Sequence, residues 1–212
     1  MRIIICVITA GVVAANLAAQ VAYERIRDSS KEPQSWLTYS GGYSGWRYSP
    51  LAEITRSNVS GLHVTWAYQM DQGASETSPI VCDGVMYITG AHWIQALDAK
   101  TGRSLWTWRR PIPDDLRTIG FPPVNRGVAI LGGTVYAGTL DSHLVALDAK
   151  SGAQRWIIKI ADNKAGYSIT AAPLAVKDKI IIGISGGEAG IRGFVDAYDA
   201  KTGTRAWRFW TI

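Results

Sequence analysis

Cysteine is scarce in this sequence: Cys6 and Cys82 are the only two. Cys6 falls in an apolar N-terminal run, so a processed chain would keep Cys82 alone, which excludes an internal disulfide and a thiolate metal site. Cys82 sits in the strand-like stretch SPIVCDGVMYI and reads as a small buried hydrophobe. Histidine is equally sparse, and His63, His92 and His143 stand singly without a ligand spacing. The net charge of +5 is modest and contains no Lys/Arg run or basic stripe, which argues against nucleic acid as a partner.

Glycine and tryptophan are plentiful instead, with 22 Gly and nine Trp in 212 residues. Tight turns need the left-handed conformations that glycine adopts freely, and flat aromatics fill the space between sheets, so this composition points to an all-β fold. A hydrophobic fraction of 47% supplies a core for it. Residues 1–24 begin with one Arg and run some twenty residues without charge, as a secretory signal peptide or an uncleaved membrane anchor does. The many small residues favour the signal peptide. Export to the periplasm is therefore expected, with membrane association through the N-terminus if the segment is retained.

Three segments align without gaps: ALDAKTGRSLW (96–106), ALDAKSGAQRW (146–156) and AYDAKTGTRAW (197–207). Their tryptophans, Trp106, Trp156 and Trp207, recur at intervals of 50 and 51 residues, and NVSGLHVTW (58–66) reads as a degenerate earlier copy ending in Trp66. In each unit, strand runs such as VMYITG, TVYAGTL and KIIIGI precede a second strand ending at the AL or AY pair, a DAK[TS]G turn, and a last strand that carries the Trp. Short antiparallel strands at a period near 50 with regular Gly and aromatic marks predict a β-propeller blade. The Asp, Gly and Trp of the repeat are accordingly structural, each Trp lying flat between blades. Residues 33–212 would hold three to four blades, fewer than the roughly four to eight that close a ring, so the expectation is the N-terminal fragment of a longer protein.

The repeat A-x-D-A-K-[TS]-G-x-x-x-W resembles the tryptophan-docking motif of the pyrroloquinoline quinone (PQQ)-dependent alcohol dehydrogenase family. RYSPLAEITRSNVSGLHVTW (47–66), SETSPIVCDGVMYITG (75–90), VNRGVAILGGTVYAGTLDSHLVALDAKSG (124–152) and SITAAPLAVKDKIIIGISGGEAGIRGFVDAYDAKTGTRAWRF (168–209) extend the resemblance over almost the whole chain after the leader. It implies an eight-bladed propeller with PQQ over its centre and Ca²⁺ beside the quinone. On this resemblance Glu76 and Arg126 hydrogen-bond PQQ, Thr170 touches it, the loop Ser185, Gly186 and Gly187 lies against it, and Glu188 ligates Ca²⁺. The implied reaction oxidises an alcohol or related hydroxyl or aldehyde substrate and passes electrons to a cytochrome c or a quinone. The aspartate base of the family comes from later blades, so no catalytic residue is assigned and the chain alone is expected to be inactive.

Glu188 also has a case of its own. Gly138 to Ala146 spans eight positions, whereas the matching Gly183 to Ala197 spans fourteen, and the six extra residues are mostly glycine around one carboxylate. Such a loop suits close approach to a ligand or a hard cation that wants oxygen donors. The sequence departs from the family at one place. Many alcohol-oxidising members carry adjacent cysteines a few residues before the arginine, where this chain has Gly120 and Phe121. Phe121 would offer an apolar stacking face there. The rival reading is a non-enzymatic propeller scaffold of the outer-membrane assembly type, which keeps the Trp motif and needs no Glu or Arg at its centre.

Overall fold

The computed structural model describes residues 21–70, 75–111, 113–116 and 122–212. Three sequential four-stranded meanders account for the strand runs predicted from the repeat. The first comprises β1 (Ile80–Cys82), β2 (Val85–Thr89), β3 (Trp93–Asp98) and β4 (Ser104–Arg109). The second comprises β5 (Ala129–Leu131), β6 (Thr134–Gly138), β7 (His143–Asp148) and β8 (Gln154–Lys159). The third comprises β9 (Leu174–Val176), β10 (Lys179–Gly183), β11 (Phe194–Asp199) and β12 (Arg205–Trp210). Every neighbouring pair is antiparallel and in chain order.

The middle sheet has neighbours on both faces, and all of β6 is buried, whereas β4 and β12 keep most residues exposed. One apolar cluster runs through the three sheets, from Ile80 and Ile94 through Val135 and Leu144 to Ile180 and Phe194. Cys82 lies within it, and burial pushes its thiol pKa up to about 12, consistent with an inert packing role.

The repeat chemistry is visible in each blade. Asp98 Oδ1 accepts the Lys100 N–H at 3.0 Å, the Thr101 N–H at 2.9 Å and the Thr101 hydroxyl at 2.9 Å. Asp148 and Asp199 repeat the arrangement with Lys150 and Ser151, and with Lys201 and Thr202. The glycine that ends each turn, at φ between 70° and 72°, forms a floor for the tryptophan of the preceding unit. A Cβ on Gly102 would lie 2.5 Å from the Trp66 ring, one on Gly152 2.6 Å from Trp106, and one on Gly203 3.2 Å from Trp156. The Trp106 indole N–H also donates to the Ala149 carbonyl at 3.0 Å. Trp66 thus docks as the later copies do, although its own segment is extended and largely exposed.

Residues 21–32 pack onto the blades. Val21 and the Ile26 of helix α1 (Tyr23–Arg27) enter the core, and the Val21 carbonyl accepts the Gly132 N–H at 3.0 Å. Arg25 of α1 bridges Glu32 at 2.7 Å and Asp83 at 2.9 Å. Most of the apolar N-terminal run lies outside the described residues, among which no helix is long and apolar enough to cross a membrane.

Candidate functional site

The residues that lead into β1, β5 and β9 are stitched together across the three sheets. The Ser78 N–H donates to the Arg126 carbonyl at 3.0 Å, and the Arg126 N–H to the Thr170 carbonyl at 2.9 Å. Asn125 fixes this crossing from below. It is buried, its amide donates to the Gly138 carbonyl at 2.8 Å, and its Oδ1 accepts the Gly127 N–H at 2.9 Å. Gly127 adopts φ 133°, where a Cβ would stand 3.0 Å from the Ser78 carbonyl oxygen, so the close approach requires glycine. None of these supports was anticipated from sequence. The only signal for them is the Asn two residues before a glycine in VNRG, the pattern of an Asx turn.

On that frame the side chains form one line. An Arg126 Nη nitrogen lies 2.7 Å from a Glu76 carboxylate oxygen, and the other donates to the Thr170 hydroxyl at 2.7 Å. Thr170 Oγ1 then meets Ser185 Oγ at 2.9 Å. Thr170 is buried, and Ser185 is held through its backbone to Ser168 by two hydrogen bonds of 2.8 and 3.0 Å. Arg126 and Glu76 keep 38% and 40% of their side chains exposed, which leaves donor and acceptor capacity facing outward. An exposed pair of this kind contributes only about 0–1 kcal/mol to stability, so fold energetics alone gives little reason for it. Arg126 also lines a cavity of about 350 Å³ with Tyr39, Tyr43, Ala171, Ala172 and Pro173.

The loop between β10 and β11 carries the remaining candidates. Glu188 is exposed on a single 3-10 turn (Gly187–Ala189), framed by Gly186 at φ 127° and Gly190 at φ 74°. The two candidate glycines differ. A Cβ on Gly186 would stand 2.2 Å from the Gly166 carbonyl oxygen, so this residue is required for packing within the blade, whereas a Cβ on Gly187 would meet open space. The structure therefore brings Glu76, Arg126, Thr170 and Ser185 into one hydrogen-bonded row, with Glu188 three positions further along the last member's loop. Among the described residues, no group of three His, Cys, Asp or Glu converges as a ready-made metal site. Gly120 and Phe121 lie outside the described residues.

Chemically, a planar guanidinium, two hydroxyls, a carboxylate and an open glycine backbone in a row fit a flat ligand rich in anionic oxygens. The free carboxylate on the neighbouring turn fits a hard cation such as Ca²⁺.

Comparison with known proteins follows the same line. Residues 36–212 match the family model "Glucose/ethanol/alcohol dehydrogenase, beta-propeller domain". The quinohemoprotein alcohol dehydrogenase ADH-IIG of Pseudomonas putida is 45% identical over 204 residues, which are 94% of this chain and 28% of that protein. A solved structure of quinohemoprotein alcohol dehydrogenase ADHIIG from Pseudomonas putida HK5 superposes with a TM-score of 0.85 at 44% identity over 91% of this chain and 29% of that one. A europium-containing methanol dehydrogenase superposes with a TM-score of 0.81 at 36% identity, covering 88% of this chain and 34% of that one. The chain thus spans about a third or less of the length of these relatives.

Proposed function

Since this chain belongs to the glucose/ethanol/alcohol dehydrogenase β-propeller family, we propose that it forms the cofactor-holding part of a PQQ- and Ca²⁺-dependent dehydrogenase that oxidises an alcohol or related hydroxyl or aldehyde substrate. The observation that carries this reading is the unbroken Glu76–Arg126–Thr170–Ser185 row across three blades. Arg126 would grip oxygens of the quinone's plane, oriented by Glu76 on one side and Thr170 on the other. Thr170 and Ser185 would contact its edge, and the Gly187 backbone would lie close to it. Glu188 would hold Ca²⁺. When bound, the quinone supplies the hydride acceptor and the cation the Lewis acid. We assign no catalytic base within this chain. Electrons would pass to a cytochrome c or a quinone, in the periplasm, with inner-membrane attachment where the N-terminal segment is retained.

The test is calorimetric titration of the protein with PQQ in the presence of Ca²⁺. Arg126→Gln removes the charge while leaving the Asn125 and Gly127 supports, and is expected to weaken PQQ binding at least about 10-fold, as loss of a charged hydrogen-bond partner does. Unchanged affinity would overturn the assignment of Arg126. No PQQ binding by the unmodified protein would favour the scaffold reading instead.

A further inference from the structure

The third blade contains an ion pair that the other two lack. Asp196 of β11 is fully buried and faces Arg208 of β12, accepting from its Nε and an Nη nitrogen, both at 2.7 Å. The Tyr198 hydroxyl donates to the same carboxylate at 2.6 Å. At the same register the first blade places Gln95 opposite Thr107, and the second Val145 opposite Ile157. Three blades of one design thus build this position from a neutral polar pair, an apolar pair and a buried charge pair. A buried ion pair is a poor source of stability, because desolvation offsets most of its attraction. Its presence in a single blade calls for another reason.

That blade is the one with the long loop, and the pair sits at the loop's foot. The Arg208 guanidinium lies 3.5 Å from the centroid of Phe194, the first residue of β11 after the loop. Phe194 packs edge-on against Trp210 at 5.5 Å and lies tilted against Tyr167 at 5.9 Å, and its carbonyl accepts the Ile184 N–H at the loop's other end. Loop residues then hold to the same strand end. Arg192 stacks over Trp210 at 4.4 Å and donates to the Ile212 carbonyl at 2.6 Å, and the Gly193 carbonyl accepts the Thr211 N–H at 2.9 Å. Arg208 also reaches the Ile160 carbonyl of the second blade at 3.4 Å.

We infer that the Asp196–Arg208 pair is a positioning device that locks the register of β11 against β12, and through Phe194, Trp210 and Arg192 sets the height at which Glu188 is presented to a cation. This rests on the reading of Glu188 as a Ca²⁺ ligand. Neither Asp196 nor Arg208 touches the cation; they act through the loop.

The experiment uses the PQQ-loaded protein, stripped with a chelator and titrated with Ca²⁺ by calorimetry, alongside the melting temperature of the metal-free form. The double variant Asp196→Asn/Arg208→Met removes both charges, keeps an acceptor for Tyr198 and fills the space over Phe194. It is expected to melt near the unmodified protein and to bind Ca²⁺ about 10-fold more weakly, the loss typical of a group that orients a metal ligand. Glu188→Gln is expected to weaken Ca²⁺ binding at least as much. If Glu188→Gln weakens Ca²⁺ binding and the double variant does not, the pair is structural only and the inference falls. If Glu188→Gln leaves Ca²⁺ affinity unchanged, the ligand reading falls and the inference with it. Should the double variant not fold, Tyr198→Phe loosens the same carboxylate, and unchanged Ca²⁺ affinity there overturns the proposal.

Discussion

The second and third blades share strand order, Asp turn and tryptophan dock, yet they connect their second and third strands in opposite ways. Between β6 and β7 a tight hairpin ties its carboxylate into the protein. Asp141 accepts from Arg110 of the neighbouring blade at 2.8 Å and from the Thr139 hydroxyl at 2.6 Å, and lies 3.1 Å from His143 Nδ1. Burial opposes the charge, but the hydrogen bonds from His143, Arg110 and Thr139 hold the Asp141 carboxyl well below its usual pKa. Between β10 and β11 the longer loop turns its carboxylate outward, and Glu188 remains exposed. One scaffold position therefore yields either an interblade clamp or an outward-facing carboxylate, and the two differ in loop length.

The largest effect is expected from closing the arm onto its own blade. Gly186→Ala forces a Cβ to within 2.2 Å of the Gly166 carbonyl oxygen at a φ that alanine avoids. A loss of about 2 kcal/mol or more is expected in denaturant unfolding, together with loss of PQQ retention. Unaltered unfolding would show that Gly186 is free to move.

Asp141→Asn should cost somewhat less, about 1–3 kcal/mol, because it leaves charged and hydroxyl donors poorly matched between two blades. A pH series adds a sign to this prediction. Asp141 has a folded pKa below its unfolded value, so its contribution is present above the unfolded pKa, near 4, and is lost as pH falls toward the folded one. Stability of the unmodified protein should fall as pH drops below about 4, and Asp141→Asn should flatten that decline. An equal slope in both proteins would assign the acid sensitivity to other groups.

Gly187→Ala is the mild counterpart of Gly186→Ala. A Cβ there meets open space, so stability should stay within about 0.5 kcal/mol of the parent. PQQ affinity should nevertheless fall if the cofactor lies against this backbone. Unchanged affinity would place the contact elsewhere on the loop.

Much of this was readable from periodicity. The DAK[TS]G turns and the strand runs depend on residues near one another in sequence, and the structure returns them; Trp66, Trp106 and Trp156 dock as the repeat implied, while Trp207 stays exposed. The unusual length of the β10–β11 connection was legible for the same reason, since two repeats supplied the ruler. Glu76, Arg126, Thr170 and Ser185 were named through family resemblance, but their joining into one row was not legible, because three separate blade entries have to meet. Asn125, the Arg110–Asp141 clamp and the Asp196–Arg208 pair were missed because their partners are defined by sheet register and blade packing. Gly186 shows a subtler miss. Its composition pointed to a ligand, whereas its nearest demand is the Gly166 backbone.

The stacking of Trp66, Trp106 and Trp156 on the glycine of the following unit makes assembly directional. When Trp106 leaves the ribosome, the Gly152 turn that covers it has not been made. At a synthesis rate of about 5–20 residues per second, that ring waits a few seconds for its cover. Each blade is therefore finished by its successor, and the nascent chain carries one uncapped indole forward with every unit it adds.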